Sequence, residues 1–146
     1  MKFEVREVTI SDIPFVEQVE KSSFTDPYPM SLLMALAISD PSTFLVATLN
    51  GSVVGYASAI VGGGGSAHMV SVAVDPEHRG QGVAKQLIES LLAVLKRRGV
   101  THVQLEVRES NLAAQTLYKS LGFKYRDRVK NYYEDGEDAF TMTLHL

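Results

Sequence analysis

The segment VSVAVDPEHRGQGVAKQLIESLL, residues 70–92, has the makings of an anion site. An apolar, β-branched run ends at Asp75-Pro76, a loop with Gly80 and Gly82 follows, and an amphipathic pattern begins at once. The first N–H groups of a helix lack intrahelical partners, and the helix dipole adds partial positive charge there. Glycines let a phosphate approach the backbone with no Cβ in the way. Two better-known phosphate loops do not fit. A P-loop needs Gly-x4-Gly-Lys-Ser/Thr, a spacing that no glycine here has. The dinucleotide pattern Gly-x-Gly-x-x-Gly/Ala, started at Gly80, ends on Lys85. A second position with chemistry is Glu106, a carboxylate inside the apolar run Val103–Val107. An interior carboxylate is rare without a function or a partner. Glu106 reads either as a general base or as half of a salt bridge, for example to a neighbouring arginine.

The stretch Arg79-Gly80-Gln81-Gly82-Val83-Ala84 resembles the Arg/Gln-x-x-Gly-x-Gly/Ala signature of the GNAT family of N-acetyltransferases. About 30 residues on, Asn111-x-x-Ala114-x-x-Leu117-Tyr118-x-x-x-Gly122-Phe123 resembles the family's other signature. Taken singly, each residue has a structural explanation: Asn111 as a helix cap, Leu117 and Phe123 as core, Gly122 as a C-cap, Tyr118 as a residue between core and solvent. Those explanations leave the joint spacing unaccounted for. The resemblance implies acetyl-coenzyme A as cosubstrate and no metal. Its pyrophosphate would lie on the loop Arg79, Gly80, Gln81, Gly82, Val83, Ala84 and Lys85. Backbone groups of Val72, Ala73 and Val74 would hold the pantetheine arm and acetyl carbonyl, Asn111 would bind the amide-rich arm, and Tyr118 would be the general acid. The implied fold is α/β (α+β): a mixed sheet of six to seven strands flanked by four helices, splayed between the strands His68–Val74 and Val103–Val107.

Attack of an amine on a thioester needs a neutral amine, a donor for the developing oxyanion and a proton for the departing thiolate. No enzyme nucleophile is required, and the chain has no cysteine to provide a thiol. Leu105-Glu106-Val107-Arg108-x-Ser110-Asn111 resembles the ribosomal-protein alanine acetyltransferase (RimI-like) branch, where the glutamate at this place is the base. His68, at the start of the opposing strand, is the competing base, acting through water, or an ordinary strand-end histidine.

The tail Lys130–Ala139, with Tyr132-Tyr133 and Asp135-Gly136-Glu137-Asp138, resembles the segment with which RimI-like and archaeal N-terminal acetyltransferases clasp a peptide. The resemblance implies Tyr132 and Tyr133 on the peptide backbone, and Phe24, Asp26, Tyr28 and Met30 around the first side chain. Protonation favours that acceptor. A peptide α-amine titrates near ~7.8 and lysine near ~10.4, so neutralisation at pH 7 costs about 1 against about 4–5 kcal/mol. The implied acceptors are protein or peptide N-termini, including ribosomal or nascent chains. The acidic cluster Glu134–Asp138 keeps open an enzyme for polyamines or other small amines, and a non-catalytic acyl-coenzyme A sensor is the third reading.

These residues need a scaffold, and the patterning outlines it. Phe3–Val8 alternates as a strand, and Ser11 or Asp12 is placed to cap a helix carrying Ile13, Val16 and Val19. Ser22–Pro29 is turn chemistry, and Met30–Ile38 a short helix. Phe44–Leu49 and Val53–Val61 form a hairpin over Asn50-Gly51. After the strand His68–Val74, the stripe Val83, Leu87, Leu91, Leu95 predicts a helix over 82–98. A strand at Val103–Val107, a helix at Asn111–Leu121 and strands at Phe123–Val129 and Ala139–Leu144 complete the order β-α-α-β-β-β-α-β-α-β-β.

Length and composition are consistent with one domain over 1–146: 45% hydrophobic and 21% charged residues in 146. A net charge of -3 offers no global field for nucleic acid or an anionic membrane. The N-terminus lacks the apolar core of a signal peptide, and nothing approaches the ~18 apolar residues of a membrane span. A cytoplasmic protein, monomeric or homodimeric, is expected.

Overall fold

The computed structural model describes residues 3–146. Its strands are β1 (Glu4–Glu7), β2 (Phe44–Leu49), β3 (Ser52–Val61), β4 (Ser66–Val74), β5 (His102–Arg108), β6 (Lys124–Val129) and β7 (Ala139–His145). Its helices are α1 (Ile13–Ser23), α2 (Met30–Ser39), α3 (Val83–Arg97) and α4 (Leu112–Ser120). The element order is the one the patterning predicts, with ends shifted by a residue or two. Three short 3-10 turns, at Ile10–Asp12, Pro41–Thr43 and Pro76–His78, carry no sequence signal of their own strength. Asp12 does not cap α1 through its side chain. Its carboxylate takes both guanidinium nitrogens of Arg6, at 2.7 and 2.9 Å, and the Thr9 N–H at 2.7 Å.

One seven-stranded sheet runs β1-β2-β3-β4-β5-β7-β6. Every neighbouring pair is antiparallel except β4–β5, which is parallel. Helix α3 covers one face with Val83, Leu87, Ile88, Leu91 and Leu95, all buried at the spacing of a 3.6-residue period. Each such side chain contributes about 1.5–3 kcal/mol relative to exposure. Leu117 and Tyr118 of α4 pack on the same cluster. Helices α1 and α2 cover the other face, where Ile13, Val16, Val19 and Leu33 meet Phe44, Val46, Tyr56 and Ala73.

The feature that positions the site is where the sheet stops being continuous. Strands β4 and β5 pair over three positions only, Ser66↔His102, Ala67↔Val103 and His68↔Gln104. Against β3, Ser58 faces Ser71 but Ala59 faces Met69, so Val70 is the extra residue of a bulge in β4. A bulge bends its strand and increases its twist. Strand β4 therefore leaves β5 just past His68, while β5 stays paired with β7 along its whole length. The splay that the resemblance implies is present.

Candidate active site

At the far end of β4 lies the glycine loop. Gly80 has φ +77° and Gly82 φ +82°, a conformation that L-residues with a side chain rarely adopt. Gly82 is the N-cap of α3 and offers no side-chain acceptor, so the N–H groups of Val83, Ala84 and Lys85 are left for an outside partner. A Cβ at Gly80 or Gly82 would meet nothing within 4 Å, which means the space before the loop is open. These are the properties a pyrophosphate needs, and the loop fits coenzyme A. The Arg79 side chain does a different job. Its Nε donates to the Val74 carbonyl at 3.0 Å and its Nη2 to Ser23 Oγ at 3.1 Å, tying the loop to β4 and α1. Ala73 and Val74 bury their side chains in the cores on opposite faces, leaving only backbone to a ligand.

Between the separated strands a cavity of about 630 Å3 opens. Met69–Val72 of β4, Leu105–Arg108 of β5, Asn111 at the N-cap of α4, and Ala114 and Tyr118 of α4 form its walls. Phe24, Asp26 and Tyr28 of the α1–α2 connection and Tyr132 and Tyr133 of the β6–β7 connection close its mouth. Met30 does not line it; that side chain packs into the cluster under α1 and α2. The Asn111 Oδ1 accepts from the Ala114 N–H at 3.1 Å, capping α4 and leaving its amide N–H2 for the cavity. Burial pushes the Tyr118 phenol up to about 12, so it stays protonated at neutral pH.

Glu106 is half-buried, and its Oε1 lies 2.6 Å from His68 Nε2. The Tyr132 hydroxyl donates to the same oxygen at 3.3 Å. Its partner is thus a histidine from the opposing strand, and the arginine two residues on goes elsewhere. Burial, the largest single influence, pushes the Glu106 carboxyl up, but the hydrogen bond and charge of His68 together with hydrogen bonds from Gln104 and Tyr132 outweigh it and leave the pKa below its ordinary value. The Glu106 bond raises His68 above its ordinary value. A second recess of about 510 Å3, lined by His68, Gln104, Thr141 and Val129, adjoins the first; Glu106 and Tyr132 border both.

Two residues essential to this architecture escape sequence reading. Glu20 is buried at the foot of the cavity. It accepts the Tyr28 N–H at 2.9 Å and hydrogen-bonds the Tyr56 hydroxyl, fixing the α1–α2 connection. Burial drives its pKa up. A signal existed: Glu20 follows Val16 by four residues and so sits on the apolar stripe of α1. Arg108 is the other. It reaches Asp26 at 3.2 Å, Asp135 at 2.9 Å and Glu137 at 2.8 Å, and lies 4.1 Å above the Tyr133 ring. Burial works against its charge, yet the hydrogen bonds it donates to Glu137, Asp135 and Asp26 raise its pKa overall. Glu137, bonded to Ser110 and Arg108, is pulled down to about 2.

A splayed mixed sheet with a phosphate-ready helix N-terminus on one side and an ionised carboxylate and protonated phenol in the gap defines an acyltransferase site for amines. The match to known proteins agrees. The model of the acetyltransferase (GNAT) family matches residues 13–123. A putative [ribosomal protein bS18]-alanine N-acetyltransferase of Bacillus subtilis is 35% identical, over 99% of this chain and 97% of its own. An N-alpha-acetyltransferase of Sulfolobus acidocaldarius is 32% identical, over 100% of this chain and 94% of its own. The crystal structure of Ard1 from Thermoplasma volcanium superposes with a TM-score of 0.96 at 32% identity, covering 100% of this chain and 99% of that one. The chain belongs to the GNAT acetyltransferase family and is an acyltransferase.

Proposed function

We propose that the protein, acting through a single catalytic unit spanning 1–146, transfers acetyl from acetyl-coenzyme A to the α-amine of protein or peptide N-termini. The observation that carries this reading is the placement of Glu106 between the two strand ends, with His68 on one side and the tyrosines of the acceptor loop on the other. Relatives named as N-alpha- and ribosomal-protein alanine acetyltransferases support it.

When bound, acetyl-coenzyme A supplies the thioester; the chain supplies orientation and protons. The amides of Val83, Ala84 and Lys85 receive the pyrophosphate, with Gly80, Gln81 and Gly82 shaping the approach. Backbone groups of Val72, Ala73 and Val74, freed from β5 by the splay, line the arm together with Asn111. The acceptor amine enters between Phe24–Tyr28 and Tyr132–Tyr133. As the N–C bond forms and the C–S bond breaks, Glu106 takes the amine proton directly or through one water, and Tyr118 returns a proton to the sulfur. His68, hydrogen-bonded to Glu106 and facing the outer recess, passes that proton to solvent, and Tyr118 takes one proton back from solvent as the thiol leaves, so the cycle closes with no net change.

The geometry weighs against a polyamine pocket. Asp135, Glu137 and Asp26 are already bound to Arg108, and Asp138 to Arg128. Of the acidic segment Glu134–Asp138, three carboxylates are thus engaged by arginines and Glu134 lines the cavity without such a bond among the described residues, which leaves less for an ammonium chain. The deciding experiment supplies acetyl-coenzyme A with peptides bearing free α-amines, N-blocked lysine peptides and polyamines, and reads released thiol. Turnover on free α-amines alone is expected. Turnover confined to polyamines, or none with tight acetyl-coenzyme A binding, overturns the reading.

A further inference from the structure

Arg108 is more than a surface ion pair. Its side chain is 18% exposed, and its partners lie far apart in sequence: Asp26 in the α1–α2 connection, Asp135 and Glu137 in the β6–β7 connection. Residues of both connections line the cavity. Neither is joined to the other by a backbone ladder among the described residues. Each loop is anchored to its own neighbours, Tyr28 on Glu20 and Glu137 on Ser110, but without a tie between them their relative placement would have to be ordered at each binding event, and that ordering weakens affinity. One planar guanidinium with five donors can join them in advance, which a lysine point charge cannot do in the same geometry.

The same residue also reaches the donor side. The Arg108 carbonyl accepts from Gln115 Nε2 at 3.0 Å, and Glu137 Oε2 accepts from the Ser110 N–H at 2.8 Å. Gln115 lies in the first turn of α4, which carries Tyr118, and Ser110 immediately precedes its N-cap Asn111. The acceptor mouth is thereby bolted to the element that faces the thioester.

We infer that Arg108 is a positioning residue for the acceptor, a clasp that holds the two mouth loops together so that a peptide N-terminus meets a preformed channel. This inference builds on the peptide reading above, but its physical core, the joining of two loops, can be tested without it. The variants are Arg108→Gln, Arg108→Lys, Asp26→Asn, which opens one arm only, and the pair Arg108→Gln/Asp26→Asn. With acetyl-coenzyme A and a free-α-amine peptide, Arg108→Gln should raise the acceptor KM about tenfold or more. Its kcat should change less than about threefold and its acetyl-coenzyme A affinity should hold. Arg108→Lys should recover part of the loss. Asp26→Asn should raise KM about threefold in the wild-type background and add nothing to Arg108→Gln, because both remove one interaction. Hydrogen exchange, read without any acceptor, should show residues 24–28 and 131–137 opening together in Arg108→Gln while 79–85 stays as in wild type. Unchanged protection of both loops, a fall in kcat at constant KM, or additive effects of Arg108→Gln and Asp26→Asn would overturn the clasp. Absent peptide turnover with the exchange pattern as expected would instead overturn the peptide reading and leave the clasp standing.

Discussion

The two ends of the cleft are built from different materials. At the donor end, between Val74 and Lys85, the contacts available to a ligand are backbone N–H groups presented by two left-handed glycines and a helix start. The Arg79 side chain is engaged in holding the loop. At the acceptor end almost everything is side chain: Glu106 against His68 and Tyr132, Glu20 under Tyr28, Arg108 across three carboxylates. Backbone sites tolerate sequence change as long as the dihedral angles survive. Side-chain sites can be retuned one residue at a time. A transferase with a constant donor and varied acceptors is served by that division.

Substitutions that separate the two ends test it. The largest effect is expected of Glu106→Gln, which keeps shape and removes the base. Its kcat should fall by about 10³-fold with acetyl-coenzyme A affinity intact by calorimetry. Equal loss of donor affinity would show that the ends are not independent. Tyr118→Phe comes next, at about 10²-fold in kcat, since the thiolate would leave without its proton. A thioester with a more acidic leaving thiol should restore part of that loss, and no restoration would remove Tyr118 from the role. Gly82→Val attacks the other end. A β-branched residue at φ +82° costs about 1–2 kcal/mol. Donor affinity should drop about tenfold while the acceptor KM stays put.

The smallest effect concerns pH. The Glu106 bond raises His68, so the pair's contribution to stability is complete below the usual histidine value of ~6.5. It is lost as pH rises through the elevated value. The His68 side chain is 46% exposed and therefore screened, which leaves on the order of 0.5 kcal/mol. The melting temperature of wild type relative to His68→Gln should be higher by about 1–2 °C at pH 6 and level at pH 9. A difference that grows with pH would mean that the pair is not held as a charged bond.

Among the described residues no helix is long and apolar enough to cross a membrane. The elements themselves were legible because each is announced locally. The α3 stripe, the Asn50-Gly51 turn and the strand alternations state a period, and the buried positions follow it. The glycine loop was legible for the same reason: left-handed φ and a bare helix start are properties of six adjacent residues. Glu106 stood out as a carboxylate in an apolar run.

What the local pattern could not state is which distant residue answers which. That Glu106 takes His68 rather than a neighbouring arginine depends on a three-pair parallel contact between β4 and β5 and on the Val70 bulge. Met30, expected at the acceptor pocket, is not among the residues lining the cavity; at the start of α2 it is partly buried against the same cluster as Phe24 and Tyr28, which do line it. Glu20 and Arg108 acquire their roles from partners up to 82 residues away. Local sequence determines dihedral preference and hydrophobic period, which is enough for the elements and for a site made of backbone. A site made of side chains depends on distances across the sheet, and those exist only once the strands have paired and the loops have been drawn over them.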